Sequence, residues 1–404
     1  MIPYGRQDVS DDDIEAVVAV LRSDWLTQGP MVPRFETAVA AYVGAAHGVA
    51  SNSATSSLQA ACKALGVGSG DRVWTSPNTF VATANAAIHC GASVDFVDID
   101  PGTYNLCPDR LAEKLQKAQA LNQLPKVVIP VHFAGQPCDM PRIHALGQEY
   151  GFKIIEDASH AIGATYEPSL SRAGIDASGS EDLPVHKIGS CLHSDITVFS
   201  FHPVKIITTG EGGMAVTNHS DLAERMILHR SHGITSNINR MVTRPSEEIW
   251  NYQQVGIGFN HRMTDIQAAL GISQLKRMDW FIEQRWMLAR RYDHLISELP
   301  IITPIQLKNT RSSRHLYPIR VPMHRCGKSQ REVYRKLTAR GVGVNLHYIP
   351  VYRHPFYESM GFPTGHCPEA EKYYKETISL PIYPTLSEEK QDDVVSALKN
   401  AVEG

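Results

Sequence analysis

Three stretches of the chain carry groups that could act on one ligand. "SNSATSS", residues 51–57, places Ser53, Ala54 and Thr55 where a helix begins, so that N–H groups and hydroxyls face an incoming anion. Plain capping is the simpler reading of those residues alone. "FKIIEDAS" ends an apolar run in Asp157, with His160 shortly after. A carboxylate at the buried end of a strand is costly unless something pairs with it, although it could also cap the next turn. "ITVFSFHPVKIITTGEGG", residues 196–213, passes Ser200 and His202 to one lysine, Lys205, before a glycine-rich turn. By itself Lys205 is either a solvated loop charge or a placed nucleophile. An anion cradle, a carboxylate and an amine together suit a ligand with a phosphate, a protonatable ring nitrogen and an aldehyde, which describes pyridoxal phosphate.

These groups need elements to position them. From about residue 47 strands and helices alternate: "HGVASNS" precedes "ATSSLQAACKAL", "DRVWTSP" precedes "TFVATANAAIHCGA", and "SVDFVDID" and "KVVIPVHF" follow. A helix from Asp139 to Tyr150, then "FKIIEDAS", "ITVFSF" and "MAVTN", continue the rhythm. The pattern predicts an α/β fold with a mostly parallel sheet covered by helices on both faces. In such a sheet ligands bind beyond the carboxyl ends of the strands, where all three stretches lie. "GVGSGD" follows a helix rather than a strand, so it reads as a C-cap and turn, not a nucleotide loop.

Ser10 caps a first helix with Asp11 to Asp13 in its first turn and Ile14, Val17, Val18 and Leu21 on one apolar face. Residues 167–187 read as an exposed loop. A long helical segment spans Thr264 through Leu299, with Gly271 inside it. Residues 300–404 mix short strands ("HLYPIRV", "VGVNLHYIP") with helices ("QREVYRKLTAR", "SEEKQDDVVSALKNA"). The expected division is a large domain over 1–250, then a long connecting helix and a smaller α+β domain over 251–404.

A chain of 404 residues with net charge −3 has no electrostatic footprint for nucleic acid or an anionic membrane. The basic run Lys328 to Arg340 reads as the wet face of a surface helix that buries Val333 and Leu337. Seven cysteines without a CxxC pair argue against a disulfide framework or a zinc site, so no metal is expected. Neither a leader-like start nor a run of about 18 apolar residues occurs, which makes a soluble, cytoplasmic protein the expectation.

"NSATSSLQAA", "PNTFVATANA", "VHFAGQPCDM", "IIEDASHAIGA", "SFHPVKIITTGEGG" and "GFNHRMTDIQAALG", in that order, resemble the DegT/DnrJ/StrS family of sugar aminotransferases, from Ile2 to the last helix. The resemblance implies a fold-type I, pyridoxal-phosphate-dependent enzyme with active sites at a homodimer interface. It casts Lys205 as the Schiff-base lysine and Asp157 as partner of the ring nitrogen, with Ala54, Thr55 and Ser200 on the phosphate. Phe80 would stack on the ring and His160 would stand near its hydroxyl, while Asn260 would reach the phosphate from the other subunit. The bland alternatives are core packing for Phe80 and His160 and a satisfied loop for Asn260.

The same resemblance implies glutamate as donor and a UDP-linked 4-keto-6-deoxy-N-acetylhexosamine as acceptor at C4, the cofactor alternating between its PLP and PMP forms. Another nucleotide-linked keto sugar is the alternative. Tyr4, Thr27, Gln28, His261, Arg262 and Tyr348 are the candidates for the sugar nucleotide; Arg262 suits phosphate oxygens but would equally serve a structural ion pair. Pro203, Phe199 and Phe201 offer apolar surroundings that would lower the amine's pKa. Dehydratases of this fold can carry histidine in place of the lysine, so Lys205 favours transamination over that reading and over a silent binding protein. The 167–187 loop is longer than the family pattern leads one to expect.

Overall fold

The computed structural model describes residues 1–167, 185–242, 248 and 250–404; most of the anticipated 167–187 loop therefore lies outside the described residues. After helices α1 (Asp11–Leu21) and α2 (Met31–Val43) come β1 (His47–Ser51), α3 (Ala54–Ala64), β2 (Arg72–Thr75), α4 (Val81–His89), β3 (Ser93–Phe96), α5 (Pro108–Ala120), β4 (Val127–Ile129), α6 (Met140–Tyr150) and β5 (Lys153–Asp157). β6 (Thr165–Tyr166), β7 (His186–Lys187), β8 (Ile196–Ser200), β9 (Gly213–Thr217) and α7 (Ser220–Arg230) follow. The C-terminal part adds β10 (Ile234–Thr235), β11 (Gln253–Gln254), α8 (Asp265–Leu275), α9 (Met278–Leu295), β12 (Thr310–Arg311), β13 (Tyr317–Arg320), α10 (Met323–Cys326), α11 (Gln330–Ala339), α12 (Pro355–Glu358), α13 (Pro368–Tyr374), β14 (Thr377–Leu380) and α14 (Glu388–Glu403).

The main sheet has seven strands in the order β1-β9-β8-β5-β4-β2-β3. β9 runs antiparallel to β1 and β8; the other pairs are parallel. A strand buried on both faces sends alternate side chains to opposite cores. Thus Ile155, Ile196 and Val198 join one core with Leu58 of α3 and Ala84 of α4, whereas Ile154 and Phe199 join the other with Phe35 of α2 and Ile143 of α6. A third core gathers Tyr292, Tyr317, Val333, Leu337, Ile378 and Leu398 from the C-terminal part. Val333 and Leu337 are the buried stripe anticipated for α11.

Several expectations need correction. The segment from Thr264 through Leu299 is two helices, α8 and α9, because the chain breaks at Lys276 and Arg277; Thr264 caps α8 through a reciprocal hydrogen-bond pair with Gln267. "VGVNLHYIP" forms no strand: Val342 and Asn345 make only single bridges, to Ile2 and Ser379. On α1 the anticipated apolar face is largely out in the open. Ile14 and Leu21 are exposed, and Asp13 and Val20 are the buried residues.

Asp13 closes the capping box with Ser10, then reaches across to α8 and the turn after it, accepting from Gln274 Nε2 at 2.6 Å and Arg277 Nη2 at 2.9 Å. Burial pushes its carboxyl up, but hydrogen bonds from Ser273, Ser10 and Gln274 outweigh it and hold the group below the usual range. Asp13→Ala should cost about 2 kcal/mol, because it opens the capping box of α1 and takes one acceptor from the buried Gln274 amide, while Arg277 keeps its ion pair with Asp8. A depressed folded pKa adds stability that is present above roughly pH 4 and is lost as pH falls through the folded value. Urea unfolding at pH 7 should therefore separate the variant from the parent, and the gap should narrow as the pH is lowered below the ordinary carboxylate range.

Candidate active site

The alternation along β5 and β8 decides which side chains meet. Asp157 shares a face with Ile155, and Ser200 shares one with Ile196 and Val198, so both emerge at the strand ends beneath α3 and α4. Glu156, one residue earlier, turns to the opposite face. There it is bound by His132 Nε2 at 2.7 Å and Thr197 Oγ1 at 2.9 Å. Burial pushes Glu156 up; the His132 hydrogen bond and charge, with those from Ser194 and Thr197, bring it net below the usual carboxylate range.

A cavity of about 1170 Å³ opens beyond these strand ends. It is lined by Ala54, Thr55, Phe80, Asp157, His160, Ser200 and Lys205, together with Tyr4, His261 and Tyr348. Ten of the candidates named from the sequence thus meet in one place. Thr27, Gln28, Asn260 and Arg262 do not line it; Thr27 pairs with Thr264 and Asn260 with Ser231, and both are exposed.

At the mouth of α3, Ser53 caps the helix by accepting from Ser56 N at 3.2 Å. The N–H groups of Ala54 and Thr55 have no acceptor within the helix, and the helix dipole favours an anion there. Gly213 keeps that end open: a Cβ at this position would lie 2.4 Å from Ala54 N. Phe80 is the N-cap of α4 and stands 61% exposed at the cavity wall, so it is not core.

Asp157 is only 4% exposed. Its Oδ1 accepts from Ser159 N at 3.1 Å and Ser159 Oγ at 2.6 Å, and its Oδ2 from Thr83 Oγ1 at 2.6 Å. Lys205 sits in the turn after Phe201, its N–H bonded to His202 O at 2.9 Å. Burial pushes its amine down to about 8, against the pull of the Asp157 charge. Phe199 and Phe201 belong to the core on the far face of the sheet, which corrects the expected surroundings of the lysine.

His160 accepts from Ala134 N on Nδ1 at 3.3 Å, so its proton resides on Nε2, 3.1 Å from the Tyr348 hydroxyl. Burial, with the charges of Lys205 and His347, holds His160 well below the ordinary imidazole range. His315 is held low in the same way, and burial takes His347 down to about 3. Lys205 is the one lysine or arginine lining the cavity among the described residues. No cluster of metal-ligating side chains occurs among them, and all seven cysteines are free.

Reading the sequence missed Thr83, Ser159, His315, Asn345 and His347. Thr83 follows Phe80 by three residues, one helical turn, and Ser159 follows Asp157 by two, a turn spacing; both signals were available. His315, Asn345 and His347 come from C-terminal segments that only tertiary packing brings to the cavity, and no local pattern marks them.

A mostly parallel sheet with a helix N-terminus, a buried carboxylate and a desolvated lysine at its carboxyl edge is the arrangement of fold-type I, pyridoxal-phosphate-dependent enzymes, and the donor set fits that cofactor. The model of the DegT/DnrJ/EryC1/StrS aminotransferase family matches residues 7–399, and the chain belongs to that family. It is a pyridoxal-phosphate-dependent sugar aminotransferase. The spore coat polysaccharide biosynthesis protein SpsC of Bacillus subtilis is 39% identical over 100% of this chain and 97% of its own length. The UDP-4-amino-4,6-dideoxy-N-acetyl-beta-L-altrosamine transaminase of Campylobacter jejuni is 35% identical over 96% of this chain and 94% of its own. Among solved structures, Helicobacter pylori PseC, an aminotransferase involved in the biosynthesis of pseudoaminic acid, superposes with a TM-score of 0.85 at 29% identity, covering 99% of each chain. Spr1654 from Streptococcus pneumoniae, solved in its PLP form, gives 0.84 at 29% identity, covering 99% of this chain and 98% of its own.

The lowered amine has a consequence in the apoprotein. Only a neutral lysine attacks an aldehyde, and at pH 8 half of Lys205 is neutral, against roughly 0.3% for an unperturbed lysine. The rate at which apoprotein captures added pyridoxal phosphate should rise with pH to a midpoint near 8. Stopped-flow absorbance across pH 6–10.5 checks this, and a midpoint above roughly 10 would contradict a desolvated amine.

Proposed function

We propose that this chain transfers an amino group from glutamate to C4 of a UDP-linked 4-keto-6-deoxy-N-acetylhexosamine, in a route to pseudaminic acid. The observation that carries the reaction type is the desolvated Lys205 sharing a cavity with the buried, hydrogen-bonded Asp157. The names of the C. jejuni and H. pylori relatives support the sugar and the route. The cavity volume of about 1170 Å³ also exceeds what the cofactor alone requires, as pockets for drug-sized ligands span roughly 300–1,000 Å³. The SpsC likeness favours a second reading, the same transfer to another nucleotide-linked keto sugar.

Pyridoxal phosphate supplies an aldehyde that captures amines and a ring that takes up an electron pair. Ala54 and Thr55 N–H groups and Ser200 would hold its phosphate, Phe80 its ring face, Asp157 its ring nitrogen, and His160 would stand near its hydroxyl. Lys205, with an amine near 8, takes the proton from the donor's α-carbon as general base; in the second half-reaction it delivers one to C4 of the sugar. Tyr4, His261 and Tyr348 also line the cavity and would contact the sugar nucleotide.

The active unit is proposed to be a homodimer. Trp250, Tyr252, Val255, Ile257 and Phe259 form an exposed apolar strip, Ile257 at 87%, that a second copy would cover. Asn260 and Arg262, just beyond that strip and outside their own chain's cavity, would then reach the partner's phosphate and sugar nucleotide.

Lys205→Ala should fold and lose both the visible band of lysine-bound cofactor and at least about 10³-fold in turnover; Asp157→Ala should fold and lose at least about 10²-fold. The assay is glutamate with a panel of nucleotide-linked 4-keto sugars, the aminated carbon and its stereochemistry read by NMR. Normal turnover in Lys205→Ala would overturn the reaction type. Amination only of sugars carried on another nucleotide would replace the substrate proposed with the second reading.

A further inference from the structure

The Asp157 carboxylate is held asymmetrically. An ionised carboxylate only accepts, with room for two donors on each oxygen. Oδ1 already takes two, the N–H and the hydroxyl of Ser159, whereas Oδ2 takes one, from Thr83. Thr83 has one hydroxyl proton to give. Its Oγ1 lies 2.6 Å from Asp157 Oδ2 and 3.2 Å from Phe80 O. That carbonyl already accepts the Thr83 N–H at 3.2 Å, so the hydroxyl proton goes to the carboxylate. The Thr83 oxygen can then accept from Thr79 Oγ1, 2.8 Å away. Both threonines are buried, at 3% exposure or less, and both line the cavity.

We propose that Asp157 Oδ2 is the oxygen that receives the cofactor's ring N–H, and that Thr83, held in turn by Thr79, is the positioning residue that aims it. Ser159 fixes one carboxylate oxygen and Thr83 the rotation of the other, leaving Oδ2 with room for one more donor on a residue that lines the cavity. Thr83 belongs to the same first turn of α4 that presents Phe80, so one helix end sets both the carboxylate and the aromatic wall. The inference rests on Asp157 being the ring-nitrogen partner.

The test compares Thr83→Val, which keeps the shape and removes the donor, with Thr83→Ser, which keeps the donor, and with Thr83→Ala and Asp157→Asn. Each apoprotein is titrated with pyridoxal phosphate by its visible band. Loss of that band on adding glutamate is then timed in a single turnover, and thermal unfolding checks the fold. Thr83→Val should bind the cofactor about tenfold more weakly and react at least about tenfold more slowly, with half-saturating glutamate moved less than about threefold. Thr83→Ser should stay within about threefold of the parent on every measure. If Thr83→Val unfolds, Thr83→Ala carries the same expectation. A folded Thr83→Val or Thr83→Ala matching the parent while Asp157→Asn is crippled overturns the relay and leaves Asp157 in place. Thr83→Ser as impaired as Thr83→Val overturns it too, and an unimpaired Asp157→Asn removes the carboxylate itself from the role.

Discussion

A buried amine and a buried carboxylate in one cavity must be kept apart. Left to themselves they would pair, since each would gain by neutralising the other in a low-dielectric space. Lys205 and Asp157 share the cavity, yet no ion pair joins them. The carboxylate is satisfied by Thr83 and Ser159 instead, and the amine is left desolvated and lowered toward 8. Most of the surrounding architecture serves that separation. Asp157 is fixed at the end of β5, while Lys205 is displaced from the end of β8 by a turn that returns through Thr208 and Thr209, both tied to Phe201 O.

Strand register sets which acid does this. Glu156 and Asp157 are adjacent, and a shift of one residue would exchange them. The exchange is blocked because Glu156 is committed on the far face to His132, Ser194 and Thr197, with Glu156, His132 and Thr197 all buried. His132 also donates its backbone N–H to Asp157 O, at 3.1 Å. The polar set behind the sheet therefore acts on the site in front of it: it pins β5 in the one register that presents the shorter acid to the cavity.

How far the sequence carries a reader follows from this division. β5, β8, α3 and α4 were legible because each pairs an apolar run with a helix start or a turn, and their ends necessarily fall on one edge of a parallel sheet. Lys205, Asp157, Ala54, Thr55 and Ser200 came with them, while Phe80 was marked only by the family resemblance. α1 misled because its apolar side chains suggested the usual inward face, whereas a buried Asp13 tied to Arg277 turns the helix the other way. The break between α8 and α9 was hidden in a continuous helical periodicity with no proline to mark it. His315, Asn345 and His347 were invisible for a different reason: they act from segments remote in the chain, and their only distinguishing property is where packing puts them.

Those C-terminal histidines bear on substrate choice. The proposed substrates, glutamate and a sugar nucleotide, are both anionic, and the cavity offers them one lysine, which the cofactor would claim. Three of the imidazoles do not substitute as cations near neutral pH, since burial keeps His160, His315 and His347 uncharged. They can only donate or accept single hydrogen bonds. The α3 N–H groups are an anion site within one chain, which a phosphate would occupy. A substrate carboxylate or diphosphate needs positive charge from elsewhere, and Arg262, beside the exposed strip that ends at Phe259, is a cation for which its own chain provides no carboxylate among the described residues. The scarcity of charge inside the cavity and the apolar strip outside it are therefore two sides of one proposal: a site that a single chain preorganises and a second copy equips to hold its anions.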